Sequence, residues 1–150
     1  MKIAAFILLL VTLLPSILSA ENQTKQEQEL FVFDKMITAK FPEKIPPAIP
    51  KFIIPENSKY LQSTDLRSGF YTSLEATLIY ENAISRKDLD EFLQKGFLNS
   101  EWRLLQTSTT ENESIYLAEG FSRKILTILV RPSTGGGTKV NVYFKKNNNY

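Results

Sequence analysis

Histidine and cysteine are both absent from the 150 residues of this chain. Their absence excludes Ser-His-Asp and Cys-His catalysis, thiolate chemistry, disulfides and the common zinc sites. It also removes the side chain most often used as a general acid or base. The S-x-x-K signature does not occur, so serine–lysine catalysis has no support. Neither phosphate-binding glycine motif is complete, and the glycine-aromatic signature of RNA-recognition domains is missing. Strong net charge is missing too: the formal balance is +2 at pH 7. Only one long apolar run occurs, from Ile3 to Leu14.

That run sits in "MKIAAFILLLVTLLPSILSA", with Lys2 before it and Pro15, Ser16, Ser19 and Ala20 after it. A charged start, an apolar centre and small residues at the end are the layout of a secretory signal. The run is short of the ~20 residues a spanning helix needs. The expectation is a signal peptide over residues 1–20, cleaved after Ala20, and export to the periplasm or beyond. Contact with the membrane is then expected only through an uncleaved signal. Glycosylation sequons stand at Asn22 and Asn112 and bear on a eukaryotic setting alone. A small exported domain without disulfides rests on its core, which favours a bacterial envelope protein.

Residues 21–55 read as a flexible tail and a proline-rich extended arm. Leu30 to Phe41, "LFVFDKMITAKF", fits either a short helix or an extended arm. Pro42, Pro46, Pro47, Pro50 and Pro55 follow and exclude a helix or central strand. Phe52, Ile53 and Ile54 look like the arm's anchors on the core. A single α+β domain is expected over residues 56–146, with its first strand in "SGFYTSLEATLIYEN", and a polar tail over 147–150. In that strand Phe70, Leu74, Ala76, Leu78 and Tyr80 share one parity, the pattern of a half-buried strand.

A helix follows in "ISRKDLDEFLQKGFLNS". Ser85 is a good N-cap, and Asp88 stands three residues on. Leu89, Phe92, Leu93 and Phe97 fall on one helical face. Gly96 either stops the helix or lets it approach the sheet. Four strands complete the chain: Trp102 to Thr107, Ser114 to Ala118, Arg123 to Arg131 and Lys139 to Phe144. Their short connections predict an antiparallel meander. The expected fold is therefore β-α-β-β-β-β, an antiparallel five-stranded sheet packed on one helix.

The stretch "RPSTGGGTKV" combines glycines, hydroxyls and cations. A phosphate loop needs a helix after its glycines, and a strand follows here. The stretch reads as a wide hairpin with positive φ at Gly135, Gly136 and Gly137. No acid follows Glu119, whereas Arg123, Lys124, Arg131, Lys139, Lys145 and Lys146 do. Arg131 and Lys139 bracket the glycine loop and are the candidate anion contacts. Among the acids, Asp88, Asp90 and Glu91 suit the first turn of a helix. Glu75 and Glu81 lie on or at the end of a strand.

The segments "IPENSKYLQSTDL", "SRKDLDEFLQKGFLNSEWRLL", "SIYLAEGFSRKILTILVRP" and "GGTKVNVYF" together resemble small bacterial envelope domains of unknown function. Glu101-Trp102 stands where those domains carry a Gly-Trp pair, and the lipid-bearing cysteine that many of them have is absent. The layout is similar to the helix-grip domains of the C component of the outer-membrane barrel assembly machine, and to cystatins. Gln106 to Ser114, "QTSTTENES", lacks the Q-x-V-x-G of cystatin inhibitors. The resemblance implies an α+β sheet wrapped on one helix.

No catalytic, cofactor or metal residue is assigned, and no nucleic-acid partner is expected. The leading expectation is a non-catalytic exported protein that binds an envelope protein or contributes to envelope structure, through a bare sheet face or the proline-rich arm. Two alternatives stand beside it. One is a hydrolase using carboxylates on the open sheet face. The other is a binder of anionic envelope polymer through the basic C-terminal hairpin.

Overall fold

The computed structural model describes residues 26–68 and 72–146. The signal over residues 1–20 and the tail over 147–150 lie outside the described residues. The strands are β1 (Glu29–Val32), β2 (Met36–Lys40), β3 (Lys59–Ser68), β4 (Thr72–Asn82), β5 (Arg103–Thr109), β6 (Ser114–Gly120), β7 (Lys124–Pro132) and β8 (Thr138–Lys146). One helix, α1 (Arg86–Leu98), lies between β4 and β5. A 3₁₀ turn spans Lys51–Ile53. The strands form a single sheet in the order β1-β2-β3-β4-β8-β7-β6-β5. Every neighbouring pair is antiparallel.

The expected five-stranded sheet is thus corrected to eight strands. The helix and the five expected strands are present as β4 to β8, and β5 to β8 form the meander. The additional strands are β1, β2 and β3. Leu30 to Phe41 is neither helix nor arm but a hairpin and its exit. Phe33 N–H donates to the Met36 carbonyl at 2.8 Å and closes the turn. That turn, through Asp34 and Lys35, carries none of the glycine or proline that marks a hairpin in sequence. β3 escaped notice for a different reason. Its residues on the covered face of the sheet include Ser63 and Asp65, so it has no apolar parity to detect.

The topology explains where the helix goes. β4 and β5 run in the same direction with β8, β7 and β6 between them. The connection must therefore return along the strand direction as well as pass over three strands. The helix lies over the β6–β7 side of one face: Arg86 Nη1 in its first turn donates to the Glu111 carbonyl at 2.7 Å, and Asp90 accepts from Ser114 and Tyr116 on β6. The helix buries Leu89, Leu93 and Phe97 against Leu78, Tyr80, Tyr116, Ile128, Val142 and their neighbours. Ser85 caps it: its Oγ accepts from Asp88 N–H at 3.2 Å and donates to Asp88 Oδ2 at 2.7 Å. Gly96 does not end it. A Cβ there would meet the Phe52 ring at 2.8 Å, so the glycine admits the 3₁₀ turn rather than the sheet.

The proline-rich segment covers the rest of that face. Ile49 and Ile53 are buried in the same core as α1. Tyr80 Oη, itself buried, donates to the Ile53 carbonyl at 2.7 Å. Asn82 Nδ2 reaches the Glu56 carbonyl at 3.0 Å. Of the three expected anchors, Ile53 is the fully buried one; Phe52 and Ile54 are half-buried. The opposite face of the sheet carries no helix or loop among the described residues.

Candidate functional site

Arg131 and Lys139 oppose each other across β7 and β8. Arg131 Nη2 and Nε donate to Glu113 Oε2 at 3.0 and 3.1 Å. Lys139 is paired in register with Glu81 on β4, and Ser133 Oγ donates to Glu81 Oε1 at 3.2 Å. Each bracketing cation thus has a carboxylate beside it. The glycine loop is closed on itself, with Ser133 N–H donating to the Gly137 carbonyl and Gly136 N–H to the Ser133 carbonyl, both at 3.1 Å. Positive φ belongs to Gly136 and Gly137, so Gly135 is not needed for the turn.

The six late cations divide. Lys124 and Lys146 oppose each other at the far end of the β7–β8 ladder from Arg131 and Lys139. Those ends are roughly 23 Å apart at ~3.3 Å per residue. Lys145 Nζ lies 3.2 Å from Glu75 Oε1. The candidate carboxylates are also apart. Glu75 and Glu81 sit toward opposite ends of β4, about 20 Å from one another by the same rise, and share no cleft.

A different place in the fold has the form of a site. Where β2 ends, Phe41 takes a positive φ of 48°, and the chain turns back over the covered face of β1, β2 and β3. A cleft of about 400 Å³ opens between the two layers. Its floor is Ile37, Ala39, Ser63, Asp65 and Arg67; Gln28 and Leu30 form one side, and residues 42–47 the roof. The volume is in the range of small-molecule sites, about 300–1,000 Å³.

The floor holds one unusual group. Asp65 is 5% exposed. Its Oδ2 accepts from Arg67 Nε at 2.6 Å, while Oδ1 is buried with no hydrogen-bond partner. Burying a carboxylate is costly unless it is paired and its lone pairs are used. Arginine–carboxylate pairs are frequently bidentate and then use both oxygens. Here one oxygen is committed and the other is enclosed without a partner, in a residue that lines the cleft. Thr138 and Asn141 also bury an unpartnered oxygen, but neither lines the cleft. The cleft's charges balance, with Asp65 and Glu43 against Arg67 and Lys44.

None of these residues was singled out from sequence. The available signal was the alternation of Ser63, Asp65 and Arg67 in "STDLR", which puts opposite charges on one side of a strand. It becomes legible only once β3 is known to be a strand. Among the described residues no group of three acids could hold a metal ion, and no helix is long and apolar enough to cross a membrane. Comparison with protein-family models, with curated proteins and with solved structures finds no match.

Proposed function

We propose that this chain is an exported, non-catalytic binding protein, periplasmic or secreted, that holds a small polar ligand between its proline-rich segment and strands β1 to β3. The observation that carries this reading is a ligand-sized cleft whose floor includes the nearly buried Asp65–Arg67 ion pair. The non-catalytic reading rests on the chain's lack of histidine and cysteine and on the separation of Glu75 from Glu81. The proline-rich segment acts here as a roof. With Ile49 and Ile53 in the core, it is not a free arm for a protein partner.

Two measurements test the reading. N-terminal sequencing of the chain from fractionated cells is expected to find it outside the cytoplasm, beginning at Glu21. Chain isolated natively and then denatured is expected to release a small molecule, detected by mass spectrometry, that Asp65→Asn does not retain. Cytoplasmic retention with Met1 intact defeats the export claim. Equal release from both chains defeats the cleft.

A further inference from the structure

Independently of the cleft and its ligand, we infer that the free edge of β1 is a self-association site, at which the β1 strands of two copies pair antiparallel about a two-fold axis at Phe31. Four consecutive large apolar residues, Leu30, Phe31, Val32 and Phe33, are between 45% and 67% exposed there. The strand also has an unfilled backbone ladder. Phe33 N–H donates to the Met36 carbonyl, so in the register Phe31↔Thr38 and Glu29↔Lys40 the odd-numbered residues turn their backbone groups to β2. Bonded and non-bonded pairs alternate in an antiparallel ladder. The N–H and C=O of Leu30 and Val32 therefore face outward. Sheet edges are ordinarily blunted by lysine, proline or a bulge, and β1 contains none of these. The other edge, β5, has a bulge between Leu104 and Gln106 and a polar run from Gln106 to Thr109.

The residues around Phe31 decide which strand fits. Pairing about Phe31 sets Leu30 opposite Val32 of the second copy, Phe31 opposite its own counterpart, and Glu27 opposite Lys35. Apolar meets apolar on both faces, and the acid four residues before Phe31 meets the base four residues after it. The mismatch of this register, Glu29 opposite Phe33, lies at the strand ends, where Lys40 already holds Glu29 at 2.8 Å. Only this register bonds the outward groups of Leu30 and Val32 to each other. A centre at Leu30 sends Val32 to Gln28, and a centre at Val32 sends Leu30 to Asp34, both outside the strand. A strand of unrelated sequence has no reason to match such a palindrome, whereas a second copy matches it by symmetry. The contact is isologous and closes on itself as a dimer.

The test is sedimentation velocity on the chain isolated from cells, over about a hundredfold range of concentration. A monomer–dimer equilibrium is expected. Phe31→Lys, which sets two like charges at the axis, and Val32→Pro, which removes an outward N–H and none of the bonds to β2, are each expected to weaken it by about tenfold or more. Cysteine placement reads the register, since the chain has no cysteine of its own. Across the axis the two Phe31 Cα atoms would lie about 4.5 Å apart, as in a non-hydrogen-bonded pair, within disulfide reach. Phe31→Cys is therefore expected to give a covalent dimer on mild oxidation, and Phe33→Cys and Leu105→Cys none. Should a variant fail to fold by circular dichroism, hydrogen exchange on the unaltered chain replaces it. The Leu30 and Val32 amides are expected to exchange fast in dilute protein and more slowly in concentrated protein, with the β5 amides unchanged. Monomer at every concentration overturns the inference and leaves the edge to a partner of other sequence or to water. Cross-linking through Phe33→Cys or Leu105→Cys in place of Phe31→Cys moves the contact to another register or edge and overturns it too. A ladder of larger oligomers means head-to-tail pairing of β1 with β5, which equally overturns it.

Discussion

Asp65 and Arg67 are unequal partners. The carboxylate is almost wholly enclosed, whereas the Arg67 side chain is 32% exposed. Removing the arginine strands a buried charge; removing the aspartate leaves a cation that can turn to water. Arg67→Leu is therefore expected to lower stability by about 2 kcal/mol, after allowance for partial exposure, and Asp65→Leu by clearly less. Urea denaturation of the two variants measures the difference, and equal losses would show that burial does not separate them.

Two tyrosines link stability to alkaline pH. Burial pushes the Tyr80 hydroxyl up, with Tyr60 adding to it. Burial also raises Tyr116, helped by its bond to Asp90 at 2.7 Å. In the unfolded chain both release their protons near the ordinary tyrosine value of about 10. The folded state holds them longer, so stability is level below about pH 10 and falls above it. Tyr80→Phe is expected to lower neutral-pH stability by about 1–2 kcal/mol, since it leaves the Ile53 carbonyl unpaired. It should also flatten the loss above pH 10. Denaturant midpoints from pH 7 to 11 give both numbers.

Among the elements, the loop between β7 and β8 makes its closest approach to the end of β4 at one glycine. A Cβ at Gly137 would collide with the Asn82 carbonyl and Ala83, and its φ is +74°. Gly135 has open space on the same loop. Thermal melts are expected to show Gly137→Ala strongly destabilised and Gly135→Ala within about 0.5 kcal/mol of the parent. A similar melt of Ser85→Ala should show a loss of about 1 kcal/mol for the missing cap of α1. The turn between β6 and β7 is built less well. Ser122 and Arg123 both take positive φ, at 62° and 58°, where side chains cost about 1 kcal/mol each. Arg123→Gly relieves one of them and is expected to raise the melting temperature slightly.

Viewed as a whole, the molecule has a firm centre and thin edges. β4, β8, β7 and β6 are covered by α1 and the proline-rich segment and supply most of the buried core. Every residue of β1 and of β5 is exposed, and each strand has a neighbour on one side only. Hydrogen exchange is expected to be slowest in β4, β7 and β8 and fast in β1 and β5, following local burial. Ile53→Ala tests the proline-rich segment's place in the core. A loss of about 2–4 kcal/mol is expected for a fully buried isoleucine; a loss below 1 kcal/mol would mean that the segment only rests on the sheet.

The alternation of Ala76, Leu78 and Tyr80 and of Val140, Val142 and Phe144, and the helical spacing of Leu89, Leu93 and Phe97, were sufficient by themselves to determine the central strands, the helix and its cap. Burial on one side imposes a period, and a period is visible in one dimension. The meander followed because its connections are short. β1, β2 and β3 were decided only by the tertiary structure. The covered face of β3 meets a cleft in place of a packed helix, so Ser63 and Asp65 are admitted there and the period disappears, while β1 and β2 are joined by a turn without glycine or proline. The cleft has the same origin. Asp65 is polar in any reading of the sequence; being buried, half-paired and beneath a roof of prolines are properties of the folded layers alone. The composition excluded histidine and thiol chemistry from the first residue to the last, because no fold can restore a side chain the chain does not carry.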